Sequence, residues 1–158
     1  MPSTQRRTAD AIVAAVNAMD VDTIVSFRTP DCKSIILPAS LNLPAQSNDA
    51  YHAQLSLMKS IFTSFQATVT DVVEGTSSAG KETIVLYISA RGDTPVGEYK
   101  NEYVWKLGFD EGGEKVSEWV EFVDVGVSRD FYPLLKGEMM RRMAAAKEAA
   151  MGTDGAGQ

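Results

Sequence analysis

One cysteine and one histidine stand in the 158-residue chain, and each scarcity removes a class of chemistry. A single thiol, Cys32, closes no disulfide, and with no spaced partner it builds no structural zinc site. A single histidine, His52, excludes any mechanism or metal site that needs two. Lysine and arginine number 15 against 21 acids, and basic residues cluster only as the pairs Arg6-Arg7 and Arg141-Arg142. With a net charge of -6 the chain offers no electropositive face for nucleic acid or an anionic membrane. No apolar run approaches the roughly 18 residues of a membrane span, and the N-terminus lacks the apolar centre of a secretory signal. A cytoplasmic, reducing setting is expected, with neither nucleic acid nor membrane as partner. Also missing are a Gly-x-Gly-x-x-Gly fingerprint, a phosphate loop, a Gly-x-Ser-x-Gly elbow and any Cys or His cluster. Nucleotide, acyl-serine and metal chemistry therefore lack their apparatus, and the expected cofactor is none. Cofactor-free proton transfer, or binding alone, remains.

What is present suffices for one core, because a chain of this size with 44% hydrophobic residues buries enough surface to fold without metal or disulfide. Thr8 or Asp10 can cap a helix carrying Ile12, Val16 and Met19 on one face. Asp20 or Asp22 can cap a second, short helix that ends before Thr29-Pro30, since the residue before proline is pushed out of the helical region. Residues 34–37 read as a short edge strand and 38–44, broken by two prolines, as an irregular connection. Ser47 or Asn48 then caps a long helix in which Tyr51, Leu55, Met58, Phe62 and Phe65 form one apolar stripe. Beyond it, 67–74, 82–91, 97–109 and 115–126 are rich in β-branched and aromatic residues between glycine turns, which predicts an antiparallel meander. The organisation expected is one domain over 1–136, a C-terminal helix over 137–151 and a disordered polar tail over 152–158.

With Phe109 placed opposite Val116, an unbroken antiparallel register sorts the last hairpin into two faces. One gathers Tyr103, Trp105, Leu107, Phe109, Val116, Val120 and Phe122, with Glu118 as its only charge. The other gathers Glu102, Val104, Lys106, Trp119, Glu121 and Val123. Two carboxylates thus share a face with a tryptophan. That face is either the ordinary solvated side of an antiparallel sheet or the wall of a concave pocket closed by the long helix. In the pocket, desolvation would raise a carboxyl pKa toward the range useful for proton transfer. His52, turned about 100° from the helix stripe, sits at its edge; it is either an exposed helix residue or an acid–base group at a cavity mouth. Arg28 and Asp31 either flank the same opening or form a surface pair. Cys32 reads as a small buried apolar residue.

The order of elements resembles the nuclear-transport-factor-2-like cone. Phe27-Arg-Thr-Pro-Asp-Cys32, Pro38-Ala-Ser-Leu41, Ser47-Asn-Asp-Ala-Tyr51 and Asn101-Glu-Tyr-Val-Trp105 resemble the SnoaL-like proteins of fungal secondary-metabolite clusters. Glu114-Lys-Val-Ser-Glu-Trp-Val-Glu121 is similar to the final-strand motif of SnoaL-like cyclases, with Glu121 in the place of their catalytic aspartate. Trp119 stands where the polyketide cyclases often carry histidine, and the paired histidines of scytalone dehydratase have no counterpart. The resemblance implies an α+β fold in which a cone-shaped, curved antiparallel sheet encloses a pocket covered by N-terminal helices. It implies a cofactor-independent isomerase or cyclase acting on a bulky apolar polyketide or meroterpenoid. Glu121 would be the principal acid and base, Glu102 its partner, and Tyr51, Trp105 and Trp119 would shape the cavity. His52 and Arg28 would orient or stabilise the substrate at the rim. Trp105 takes its part only if the strand is bulged. Such proteins are commonly homodimers packed through the outer face of the sheet, which suits an aromatic row of Tyr103, Trp105 and Phe122. The alternative is a non-catalytic ligand-binding or dimerising module on the same cone.

Overall fold

Ser3, not Thr8 or Asp10, opens the first helix: its hydroxyl accepts from the Arg6 amide at 3.0 Å, and α1 runs Thr4–Asn17 in the computed structural model, which describes residues 1–154. Thr8 is instead buried and donates to the Gly113 carbonyl at 2.8 Å, tying α1 to a distant turn. Asp20 caps α2 (Val21–Ser26) and Ser47 caps α3 (Asn48–Ile61), each accepting from the amide three residues on. The apolar stripe outruns its helix. Phe62 is already extended and Phe65 belongs to the next strand, because Gly92 lets the Phe62 ring close on the sheet. A Cβ at Gly92 would lie 2.6 Å from the Ser64 carbonyl oxygen and 2.7 Å from that ring.

Five strands follow the order β1-β5-β4-β3-β2: β1 (Arg28–Leu37), β2 (Ser64–Thr76), β3 (Glu82–Thr94), β4 (Gly97–Phe109) and β5 (Val116–Val123). The curved sheet does not close, and helices α1 to α3 cover its inner face. The meander from β2 to β5 is antiparallel, as the turns predict. β1 differs twice from its expected form. It begins at Arg28 rather than at residue 34, since Pro30 is tolerated on an edge strand, and it runs parallel to β5. No hairpin joins the two, so the long excursion between them leaves the direction free.

The β4–β5 hairpin carries the feature that positions the site. Phe109 pairs with Val116 as expected, but Gly108 pairs with Glu118, leaving Ser117 as one extra residue in β5. From there the register is displaced by one, so Trp119, Glu121 and Val123 face inward beside Tyr103, Trp105 and Leu107.

After β5, Asp124 caps a short α4 (Val125–Asp130), and α5 extends over Tyr132–Asp154. It starts before residue 137 because Pro133 sits in its first turn, where a missing amide hydrogen costs nothing. Leu135 and Met139 pack on Ile61, Phe62 and Tyr99. Residues 152–154, expected in the tail, continue this helix, and 155–158 lie outside the described residues. Among the described residues no helix is long and apolar enough to cross a membrane.

Candidate active site

Between the inner face of the sheet and the helices lies a cavity of about 320 Å³, within the usual range for small-molecule sites. Its wall is mostly apolar: Val16 and Met19 from the α1 end, Ile24 from α2, Leu55 and Met58 from α3, and Leu41 from the proline-rich connection. Its polar groups are Tyr99, Asn101 and Tyr103 of β4, Glu121 of β5 and Tyr51, with Ser34, Gln46, Gln54, Lys59, Ser128 and Tyr132 contributing from the surrounding elements.

Glu121 enters from the middle of β5, across from Trp105 on β4 and Ile36 on β1. Part of its surface opens onto the cavity, and protein encloses the rest. Burial raises its pKa from the ordinary 4.5 to about 7, against smaller downward pulls from the Trp119 indole and the Arg28 guanidinium. A carboxyl titrating there both gives and takes a proton near neutral pH.

Arg28 is 4% exposed, and the β-strand start places it under the N-terminal turn of α3. Its Nε donates to Asn48 Oδ1 at 2.7 Å, Nη1 to Ser34 Oγ at 2.5 Å and Nη2 to the Cys32 carbonyl at 3.5 Å. All three acceptors are neutral. The guanidinium lies 4.4 Å from the Tyr51 ring centroid and 5.7 Å from that of Trp119. A buried cation held only by dipoles and π faces favours a nearby anion, and this is the charge that acts on Glu121.

Tyr51, Trp119, Trp105 and Tyr103 form a continuous aromatic wall, with successive ring centroids 5.7, 5.1 and 6.1 Å apart. Trp119 is completely buried, and neither indole N–H makes a well-aligned hydrogen bond among the described residues, although the Trp119 N–H lies near enough to Glu121 to favour its carboxylate. Burial pushes the Tyr51 phenol well above its usual pKa, and Glu121 adds to the effect.

The structure thus brings Glu121, Tyr51 and Trp105 to the cavity wall, packs Arg28 and Trp119 behind that wall rather than on its lining, where they were expected to meet the substrate, and separates Glu102 and His52 from it. Glu102 is exposed on the outer face of the sheet, in a shallow groove with Tyr87, Val104 and Phe122. The Ser117 bulge turns Glu121 inward without turning Glu102, so the two carboxylates do not share a face. His52 lies outside the cavity, on the far side of α3. Its Nε2 is 2.7 Å from Asp22 Oδ1 on α2, and its Nδ1 is 3.4 Å from Ser56 Oγ. The pair bridges two helices at the surface, with His52 half-exposed and Asp22 almost fully exposed. Asp31 is exposed and accepts from Thr29 Oγ1 at 2.8 Å, away from Arg28. Cys32 is buried, and burial raises its thiol pKa.

Among the cavity residues that the sequence reading did not assign to the site are Tyr99, Asn101 and Tyr103. The Tyr99 and Tyr103 hydroxyls are hydrogen-bonded to each other, and Asn101 Nδ2 donates to Tyr99 Oη at 2.8 Å. Burial pushes Tyr99 up to about 12 and Tyr103 well above its usual value. Their signal was strand alternation, since residues 99, 101, 103 and 105 fall on one face of β4. The unbulged register sent that face outward. For the same reason the expected outer row of Tyr103, Trp105 and Phe122 is overturned, because only Phe122 points out.

A hollow α+β cone with an inward carboxylate on its last strand defines a SnoaL-like protein of the nuclear-transport-factor-2-like superfamily. The chain is 33% identical over 128 residues to austinoid biosynthesis cluster protein H of Aspergillus calidoustus, covering 78% of this chain and 87% of that one. It belongs to this family of proteins from fungal secondary-metabolite clusters. The solved structure of AusH from Aspergillus nidulans matches with a TM-score of 0.69 at 29% identity, over 79% of this chain and 88% of that one. BvnE pinacolase from Penicillium brevicompactum shares the fold, with a TM-score of 0.71 at 21% identity over 91% and 96% of the two chains. No family model matches the chain.

Proposed function

We propose that the chain is a cofactor-independent isomerase or cyclase of fungal secondary metabolism, acting on a bulky apolar polyketide or meroterpenoid intermediate with Glu121 as its acid and base. The observation that carries this reading is a carboxyl with a pKa of about 7 in a mostly apolar cavity of about 320 Å³. The biosynthetic-cluster relatives and the neighbour named a pinacolase support it.

In an isomerisation, ionised Glu121 takes a proton from a carbon beside a carbonyl, and the electron pair moves onto the carbonyl oxygen. Protonated Glu121 then returns the proton at another carbon as the carbonyl re-forms. In a cyclisation, the enolate carbon bonds to an electrophilic carbon of the same molecule, and Glu121 protonates the resulting alkoxide. Either route conserves atoms and consumes nothing. Arg28 supports the carboxylate form from behind, and the aromatic wall excludes water from the enolate.

The test is incubation of the purified protein with intermediates from the biosynthetic cluster that encodes it, read by mass spectrometry in H2O and D2O. A product isomeric with its substrate is expected; in D2O an isomerisation in which Glu121 exchanges its proton before returning it leaves deuterium on carbon, and a cyclisation leaves it only on the new hydroxyl. A product heavier by one oxygen, or binding with no turnover of any intermediate, would overturn the reading.

A homodimer packed through the outer face of the sheet forms part of the proposal. Ile35, Val73, Tyr87 and Phe122 expose apolar surface there, each 40–51% accessible. Phe122→Glu is expected to convert a dimer to a monomer in sedimentation equilibrium while leaving ligand binding intact. An unchanged mass would exclude this face.

A further inference from the structure

We propose that Asn101, Tyr99 and Tyr103 form a directed hydrogen-bond chain that presents one unspent phenol proton to a ligand carbonyl, with Asn101 as the positioning residue that sets its direction. The cavity's ligand is then a ketone or enone. This deepens the functional reading above and rests on it.

Counting donors leaves one phenol proton over, and the bond from Asn101 to the Tyr99 oxygen favours Tyr99 as donor to Tyr103, which places that proton on Tyr103. Asn101 is 8% exposed, and its Oδ1 accepts from the Glu102 backbone amide at 2.9 Å, which fixes the orientation of the side-chain amide. Its Nδ2 therefore faces Tyr99 Oη, at 2.8 Å, and the Tyr99 oxygen receives a proton donor. The two phenols carry two protons, and the bond between them uses one. The other finds no acceptor among the described residues, and both phenols line the cavity. Burial keeps both neutral, so both remain donors. A chain in which each group accepts and then donates is polarised, which strengthens its last donor.

The position suits the chemistry. Tyr103 is two residues from Trp105, the cross-strand partner of Glu121, and such diagonal neighbours on one face lie roughly 7–8 Å apart. A carbonyl bound by the phenol thus presents its neighbouring C–H toward Glu121. The donor gains strength as negative charge develops on that oxygen.

Asn101→Asp separates this role from a merely structural one. A carboxylate at that position still accepts from the Glu102 amide but cannot donate to Tyr99, and accepts from it instead. Tyr103 then donates to Tyr99, both phenol protons are spent, and the cavity is left with acceptors only. Asn101→Ala breaks more contacts yet leaves one phenol proton free. A structural role predicts that the isosteric Asp is the milder change; the directed chain predicts the reverse.

The probe is 2-acetonaphthone carrying a ¹³C-labelled carbonyl, with binding followed by fluorescence and the carbonyl stretch by infrared difference spectroscopy. In the parent the bound carbonyl is expected to be red-shifted from its position in hexane. Asn101→Ala should keep a reduced shift, whereas Asn101→Asp should lose it, with affinity weaker by about tenfold, one hydrogen bond's worth. Tyr103→Phe, which is close to isosteric, should also reduce the shift and serves if Asn101→Asp does not fold by circular dichroism. Equal shifts in the parent and in whichever of these variants folds, or a parent shift no larger than in hexane, overturns the directed chain. Failure of the ketone to bind the parent overturns the cavity reading with it. Glu121→Gln should keep the shift; if that variant also kept turnover, the acid–base assignment would fall while the donor chain stood.

Discussion

Glu121→Gln is expected to lower turnover by about 10²- to 10⁴-fold, the usual worth of a positioned acid or base, while ligand affinity stays within a few-fold. Glutamine keeps the shape of the side chain and its place across from Trp105 and Ile36 in the sheet, but it has no proton to exchange near neutral pH. The loss should fall on kcat rather than KM, because the carboxyl acts as charge develops and contributes little to holding an apolar ligand. Single-turnover rates and equilibrium binding on the same preparation separate the two quantities. A variant that turns over at the parent rate would remove Glu121 from the chemistry. A parent that binds tightly but never turns over would favour a binding module on the same cone.

The same carboxyl makes stability depend on pH, with a sign that burial dictates. Glu121 titrates near 7 in the folded chain and near 4.5 when unfolded. Below pH 4.5 both states hold the proton, and the contribution of this group to stability is fully present. Between 4.5 and 7 the unfolded chain releases its proton first, so stability falls, and above 7 the contribution is lost. The shift corresponds to at most about 3 kcal/mol, reduced by whatever water enters the cavity. Glu121→Gln should therefore match the parent in urea denaturation at pH 4.5 and exceed it at pH 8. Equal stability of the two proteins at pH 8 would mean that the carboxyl is well solvated. In parallel, kcat/KM for substrate should rise through about pH 7 as the free enzyme gains the ionised base.

Local chemistry made much of the fold legible. Asp20 and Ser47 were readable as caps because a short oxygen-bearing side chain before an apolar period satisfies free amides at a helix start. The meander was readable from glycine turns between β-branched runs. Glu121 was readable because its surrounding motif resembles that of a known family. Arg28 was placed at the rim, but it lies buried under Tyr51, and no local pattern announces a cation held by π faces. His52 attracted attention as the only histidine, and the turn of α3 carried it away from the cavity to Asp22.

From composition and order alone, then, this chain is committed to helices followed by a curved meander, since capping, periodicity and turn chemistry act within a few residues. Which side chains meet inside was decided elsewhere. One unpaired residue, Ser117, turns Glu121 and Trp119 to the side of Tyr103 and Trp105 and leaves Glu102 outside. Strand faces alternate with a period of two, so a single inserted residue reverses every assignment beyond it. That insertion is set by how the hairpin packs against the rest of the sheet, which residues taken singly do not encode.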